Sequence, residues 1–137
     1  AFTVAHSLTL SLAALGVVSL PARVIEAGIA LSIVYVALEN LARHRVDRRW
    51  LISFFFGLVH GFGFAGVLRE MHLPRSGLLA SLVSFNVGVE IGQVAIVGLV
   101  LPLLWALART RVYTAVVTSA SRVILSMGLV WLYQRVF

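Results

Sequence analysis

Five long apolar stretches alternate with short polar gaps along the 137-residue chain. The first covers about residues 2–20 and stops at Pro21. The second runs 24–42 and ends in the charged run RHRVDRR. The third, 51–68, leads into REMHLPR, where Pro74 and Arg75 mark a loop. The fourth covers 78–106, with Pro102 near its end, and the fifth covers 113–134. A helix rising about 1.5 Å per residue needs roughly 20 apolar residues to cross about 30 Å of hydrocarbon. The first three runs are close to that length. The fourth exceeds it and is expected to tilt, kink at Pro102 or project into an interface. Arg122 interrupts the fifth, so either its first turns lie at the interface or the arginine snorkels outward.

Lipid offers no hydrogen bonds, so an open chain within it must satisfy its backbone internally, and these runs are too long and continuous for barrel strands. The pattern predicts an all-α fold, a polytopic transmembrane bundle of about five helices forming a single domain over 1–137. The chain opens directly on AFTVAHS, without an initiator methionine, a basic flank or a cleavable-signal pattern. It reads as a piece of a longer protein, with further helices expected upstream.

Composition supports the membrane reading. The chain is 61% hydrophobic and 12% charged, with mean hydropathy +1.02, whereas soluble domains run nearer half apolar and a quarter charged. No cysteine is present, which excludes disulfides, thiolate ligands and cysteine nucleophiles. The net charge is +6, and all eleven basic residues are arginines. They sit mostly in the gaps between spans, a placement that points to the lipid bilayer as partner rather than nucleic acid. Arg43, Arg45, Arg48 and Arg49 crowd the second gap, and Arg109 and Arg111 occupy the fourth. The other side holds Arg23, Arg69, Arg75 and Arg135, partly offset by Glu26 and Glu70. The positive-inside rule therefore puts the 43–49 loop in the cytoplasm.

Polar groups inside the spans are the informative residues, because a charged side chain at a helix centre costs about 2.5–3.5 kcal/mol on insertion scales. His60 lies near the middle of the third span and Glu90 near the middle of the fourth. Asn86, Glu90 and Gln93 fall within about 60° of one another on a helix, forming a polar stripe. Ala80, Ser84, Gly88 and Gly92 make a small-residue ridge roughly opposite. In the first span, Thr3, His6 and Ser7 share a face. Glu39 lies four residues before Arg43, the favourable order for an ion pair near a helix end, with Asn40 beside it and Ser32 and Tyr35 on the same face. Glu26 is expected to pair with Arg23, while His44 and His72 fall in charged loops and read as solvated.

The stretch GLVHGFGFAG, residues 57–66, fits G-x-G-x-x-G through Gly61, Gly63 and Gly66. A dinucleotide loop must follow a strand and open a helix, whereas this one lies inside an apolar span, so no nucleotide is expected. Gly57 and Gly61 also form G-x-x-x-G, which permits close helix approach. A histidine among glycines can in addition occupy a loosened helix whose carbonyls help bind an ion.

Imidazole and carboxylate without sulfur suit Ni²⁺, Co²⁺, Zn²⁺ or Fe²⁺. Neutral His60 with ionised Glu90 would bind such a cation, and protonating either would release it, which is a physical basis for a proton-coupled permease. His6 is the expected third ligand. Asn86, Gln93, Glu39, Asn40, Thr3 and Ser7 are expected as pathway or supporting groups. Gly57, Gly61, Ser84, Gly88 and Gly92 are expected at helix contacts. Two other classes remain open: a structural subunit of a larger membrane complex, and a zinc-dependent intramembrane hydrolase, which needs about three histidine ligands. A serine protease is disfavoured, since Ser7, Ser53, Ser81 and Ser84 lack a G-x-S-G-like context.

FTVAHSLTL, VIEAGIALSIVYVALENL, GLVHGFGFAGVLRE and FNVGVEIGQ together resemble the HupE/UreJ family of hydrogenase and urease accessory membrane proteins. The resemblance covers nearly the whole chain. It implies a polytopic bacterial inner-membrane protein, a permease or handling factor for nickel, with cobalt as the other cargo. It points to His6, Glu26, Glu39, Asn40, His60, Asn86, Glu90 and Gln93. Similar family members also carry a G-x-D-H-type motif on a helix upstream of the FT-x-x-H-S segment, and this sequence does not contain it.

Overall fold

A computed structural model of the chain describes residues 1–42, 47–70 and 75–137, with side chains outside 66–76. It contains five helices: α1 (Phe2–Ala14), α2 (Ala22–Ala42), α3 (Arg49–Glu70), α4 (Arg75–Leu107) and α5 (Tyr113–Val136). The fold is all-α. Among the described residues, three helices are long and apolar enough to cross a membrane: Ala22–Ala42, Gly77–Leu107 and Tyr113–Val136.

The first apolar run is not one continuous helix. Leu15 caps α1, Gly16 takes a left-handed φ of 76°, and the chain reverses. The Val17 N–H bonds the Leu12 carbonyl at 3.0 Å and the Gly16 N–H bonds the Ala13 carbonyl at 3.1 Å. This pair of bonds is the Schellman termination, which glycine permits because no Cβ opposes the left-handed turn. At 13 residues, α1 reaches only about 20 Å. Hydropathy alone extended the run to Pro21 because Val17, Val18 and Leu20 are apolar but no longer helical.

Contacts fix the helix order. α1 packs on α3 and α4, and α2 packs on α3 and α5. α1 and α3 run parallel: Gly57 faces Phe2 and Ala5, and Gly61 faces His6, Thr9 and Leu10. α2 opposes them, with Gly28 against Val59, Gly63 against Ile29, and Tyr35 against Phe56. α5 runs antiparallel to α2, with Gly128 against Val34 and Arg135 bridged to Glu26. This register puts the 108–112 connection at the Ala42 end of α2, the same end as the start of α3. The Arg109–Arg111 gap and the Arg48–Arg49 segment therefore share one face of the bundle. There the Arg109 guanidinium lies 3.7 Å over the Trp105 ring, an arrangement suited to a membrane interface.

The same register resolves the interruption at Arg122. Six residues back from Gly128 on α5, and six forward from Val34 on α2, Arg122 falls about level with Asn40. It is exposed near the arginine-rich end, and the first turns of α5 extend past that level. α4 continues as one helix through Pro102.

Little of the chain is buried. The core cluster is Leu10, Ala13, Ala14, Ala65 and Leu82, with Phe62, Leu78 and Phe85 against it. Large apolar side chains cover the outside, among them Leu79, Val83, Ile91, Val94, Leu99 and Trp105 on α4. In lipid such a surface is solvated, so cohesion depends on close backbone approach and interhelical hydrogen bonds rather than on apolar burial.

Candidate functional site

Close α1–α3 packing positions the polar residues. A Cβ added at Gly61 would meet the Thr9 hydroxyl and the His6 carbonyl, and one at Gly57 would meet the Phe2 carbonyl and, at 2.9 Å, the Ala5 Cβ. Because the backbones touch there, the outer face of α1 is held against α4 with Thr3, His6 and Ser7 turned toward it. Thr9 stays local, its hydroxyl donating to the Ala5 carbonyl at 3.1 Å.

Asn86 is the hub of the α1–α4 contact. Its amide nitrogen donates to the Leu82 carbonyl one turn back at 2.9 Å. That bond fixes the orientation of the amide, so Oδ1 is the acceptor facing α1. The Ser7 hydroxyl donates to this oxygen at 2.7 Å, and His6 Nδ1 approaches it at 3.4 Å. One turn along, the Thr3 hydroxyl donates to Glu90 Oε2 at 2.6 Å. The two helices are thus joined by two polar rungs in line.

The hydrogen-bond partners define the tautomers of the neutral imidazoles. An amide or backbone carbonyl oxygen cannot donate, so the ring nitrogen facing it carries the hydrogen. His6 Nδ1 faces Asn86 Oδ1, and His60 Nδ1 donates to the Phe56 carbonyl at 2.8 Å. In both rings Nε2 then holds the lone pair, the arrangement found when a histidine serves as a ligand or a proton acceptor.

The two histidines sit in different surroundings. His6 is 2% exposed and lies between aromatic rings, stacked on Phe2 (centroids 5.7 Å apart) and on Phe85 (6.1 Å), with Phe64 tilted at 6.2 Å. His60 is half-buried. It meets the edge of Phe2 at 5.6 Å and opens on a groove of about 290 Å³ lined by Phe2, Ser32, Ile33, Val36, Phe56 and Ile124.

The structure therefore brings Thr3, His6, Ser7, Asn86 and Glu90 into one cluster and links His60 to it through the Phe2 ring. Among the described residues no group of three His, Cys, Asp or Glu side chains is gathered closely enough to hold a metal ion. Gln93 is half-buried one turn beyond Glu90, and Asn40 is exposed. Glu39 bonds Arg49 across α2 and α3 at 3.0 Å; its expected partner Arg43 lies outside the described residues, as do His44 and His72. Glu26 pairs with Arg135 of α5 at 3.0 Å instead of Arg23, because the antiparallel register brings the two helix ends together. On α4, Gly88 and Gly92 have open space where a Cβ would stand, and Ser84 is exposed. Among the described residues the ridge therefore meets no other helix.

Sequence reasoning passed over the aromatic enclosure of His6. Phe2 lies four residues before His6 and Phe85 immediately before Asn86, so both neighbours were visible. Their convergence needed the packing of α1 on α4.

No curated protein and no solved structure gives a match. A family model described as HupE / UreJ protein matches residues 1–135. Spanning nearly the whole chain, including FTVAHS, GLVHGFG and FNVGVE, that match shows that the protein is a membrane protein belonging to the HupE/UreJ family.

Proposed function

We propose that this protein carries or hands on a divalent transition-metal cation at the bacterial inner membrane, with the Arg48–Arg49 end of the bundle facing the cytoplasm. Nickel is the favoured cargo from family membership, with cobalt and zinc as the other candidates. The reading rests chiefly on one observation: two imidazoles within the bundle have Nδ1 engaged by carbonyl oxygens, leaving Nε2 of each as a donor. Neutral nitrogen with a carboxylate is the donor set such borderline cations take.

In this reading His60 and Glu90 are the principal ligands and His6 the third, met in turn along the route, since the described residues gather no three of them around one point. Ser7 and Asn86 hold the His6 ring in its tautomer, and Thr3 orients Glu90 while leaving its second oxygen free. Gln93, Glu39 and Asn40 belong to the route. Since protonation of an imidazole removes its lone pair, cargo release is coupled to proton uptake.

The test is cation uptake into proteoliposomes, followed with an encapsulated metal-sensitive dye. His60→Ala and Glu90→Ala each abolish uptake while the protein still purifies as a folded monodisperse species. Ser7→Ala, which disturbs only the support of His6, weakens cation affinity by roughly tenfold, in line with other supporting residues of metal sites. Full uptake in both His60→Ala and Glu90→Ala sinks the assignment.

A second reading, a structural subunit of a larger membrane complex, is favoured by α4 alone, whose apolar stretch Gly77–Leu107 is mostly exposed among the described residues. Native mass spectrometry from mild detergent separates the two: a subunit co-purifies with its assembly, and a permease supports flux by itself.

A further inference from the structure

His6 and His60 present the same donor atom, yet they face two compartments. His60 opens on the groove between α1, α2, α3 and α5, whereas His6 is enclosed at the α1–α4 contact with Ser7, Asn86 and the Thr3–Glu90 rung nearby. Among the three rings that enclose His6, Phe2 is the one that also touches His60, and it forms part of the groove wall. Phe64 and Phe85 lean on each other at 5.0 Å instead.

We propose that Phe2 is a positioning residue that partitions the site: its ring decides whether a bound cation or proton meets His60 alone or both imidazoles. With the ring in the observed position, a small solute in the groove reaches His60 and is separated from His6 by one thickness of aromatic carbon. A swing of Phe2 about its side-chain bonds removes that layer and joins the groove to the His6–Asn86–Glu90 cluster. Such a swing is a rotamer change and leaves the α1–α3 backbone contact at Gly57 and Gly61 in place. Phe2 and Thr3 are adjacent, so the helical turn that carries the partition also carries the hydroxyl holding Glu90.

This inference builds on the cation-binding reading, and its first readout uses no metal. Purified protein in nanodiscs is treated with diethyl pyrocarbonate, and the acylation of His6 and His60 is followed separately by peptide mass spectrometry. In the wild type His60 reacts and His6 is protected. Phe2→Ala raises the His6 rate by about tenfold or more with the His60 rate little changed, as expected when local protection is removed without global unfolding. Phe2→Leu, which retains most of the bulk, gives a smaller rise in the same direction and serves as the deciding variant if Phe2→Ala does not fold. Equal reactivity of the two histidines in the wild type, or continued protection of His6 in the folded variants, overturns the partition. If His6 becomes reactive but the wild type shows no cation uptake, the partition stands and the transport reading is the part that fails.

Discussion

Two glycine pairs with the same spacing behave in opposite ways. Gly57 and Gly61 on α3 are in backbone contact with α1, where even a methyl group would meet main-chain oxygen. Gly88 and Gly92 on α4, also four apart, face open space. Small residues one turn apart remove an obstacle to close approach and do not supply a partner. On α3 the partner is a short helix that presents Ala5, Thr9 and a bare carbonyl. On α4 the polar stripe meets α1, which turns the small ridge away from the chain.

The contrast is sharpest where a side chain is added. Gly61→Leu drives a branched group into the His6 carbonyl and the Thr9 hydroxyl. Overpacking against main chain that cannot rotate aside lowers stability by about 3 kcal/mol or more. Gly57→Ala, opposed by the Phe2 carbonyl, costs roughly 1–3 kcal/mol. Both are read from reversible unfolding in mixed detergent and denaturant micelles, and wild-type stability for Gly61→Leu would refute the α1–α3 contact.

Asn86→Leu tests the α1–α4 contact, which depends on hydrogen bonds instead of close approach. It removes the acceptor for Ser7 and His6 and lowers stability by about 1–2 kcal/mol, the upper range for interhelical polar contacts in membranes. An unchanged unfolding midpoint would mean that the Ser7–Asn86 rung does not hold α4.

Gly92→Ala carries the smallest expected effect, and its sign is reversed. With nothing opposing the new methyl group, better helix propensity raises stability by up to about 1 kcal/mol. A loss of stability accompanied by a change in oligomeric mass would show instead that a partner occupies the ridge.

The histidines show how far the sequence could be read. A polar residue in an apolar run is conspicuous, so His6, His60, Asn86 and Glu90 stood out without coordinates. Hydropathy carries no information about pairing, however. Glu39 and Glu26 were expected to bond basic neighbours on their own helices, and both reach across to another helix, to Arg49 and Arg135. Neighbours in sequence compete with neighbours in space: the antiparallel register brings Arg135 to Glu26 in place of Arg23, while for Glu39 the sequence neighbour Arg43 lies outside the described residues.

The amino-acid order alone determined the solvent, the helical class and the identity of the polar groups, because apolar run length and the cost of buried charge are local properties. Even the stop of α1 at Gly16 was encoded locally, although uninterrupted hydropathy concealed it. Only the tertiary arrangement decided which glycines are occupied, that Asn86 bridges Ser7 and His6, and that one phenylalanine touches both imidazoles. Those outcomes depend on which helix faces which and in what register. Contacts between residues some 80 positions apart, such as Ser7 with Asn86 and Thr3 with Glu90, are set by packing that no local pattern records.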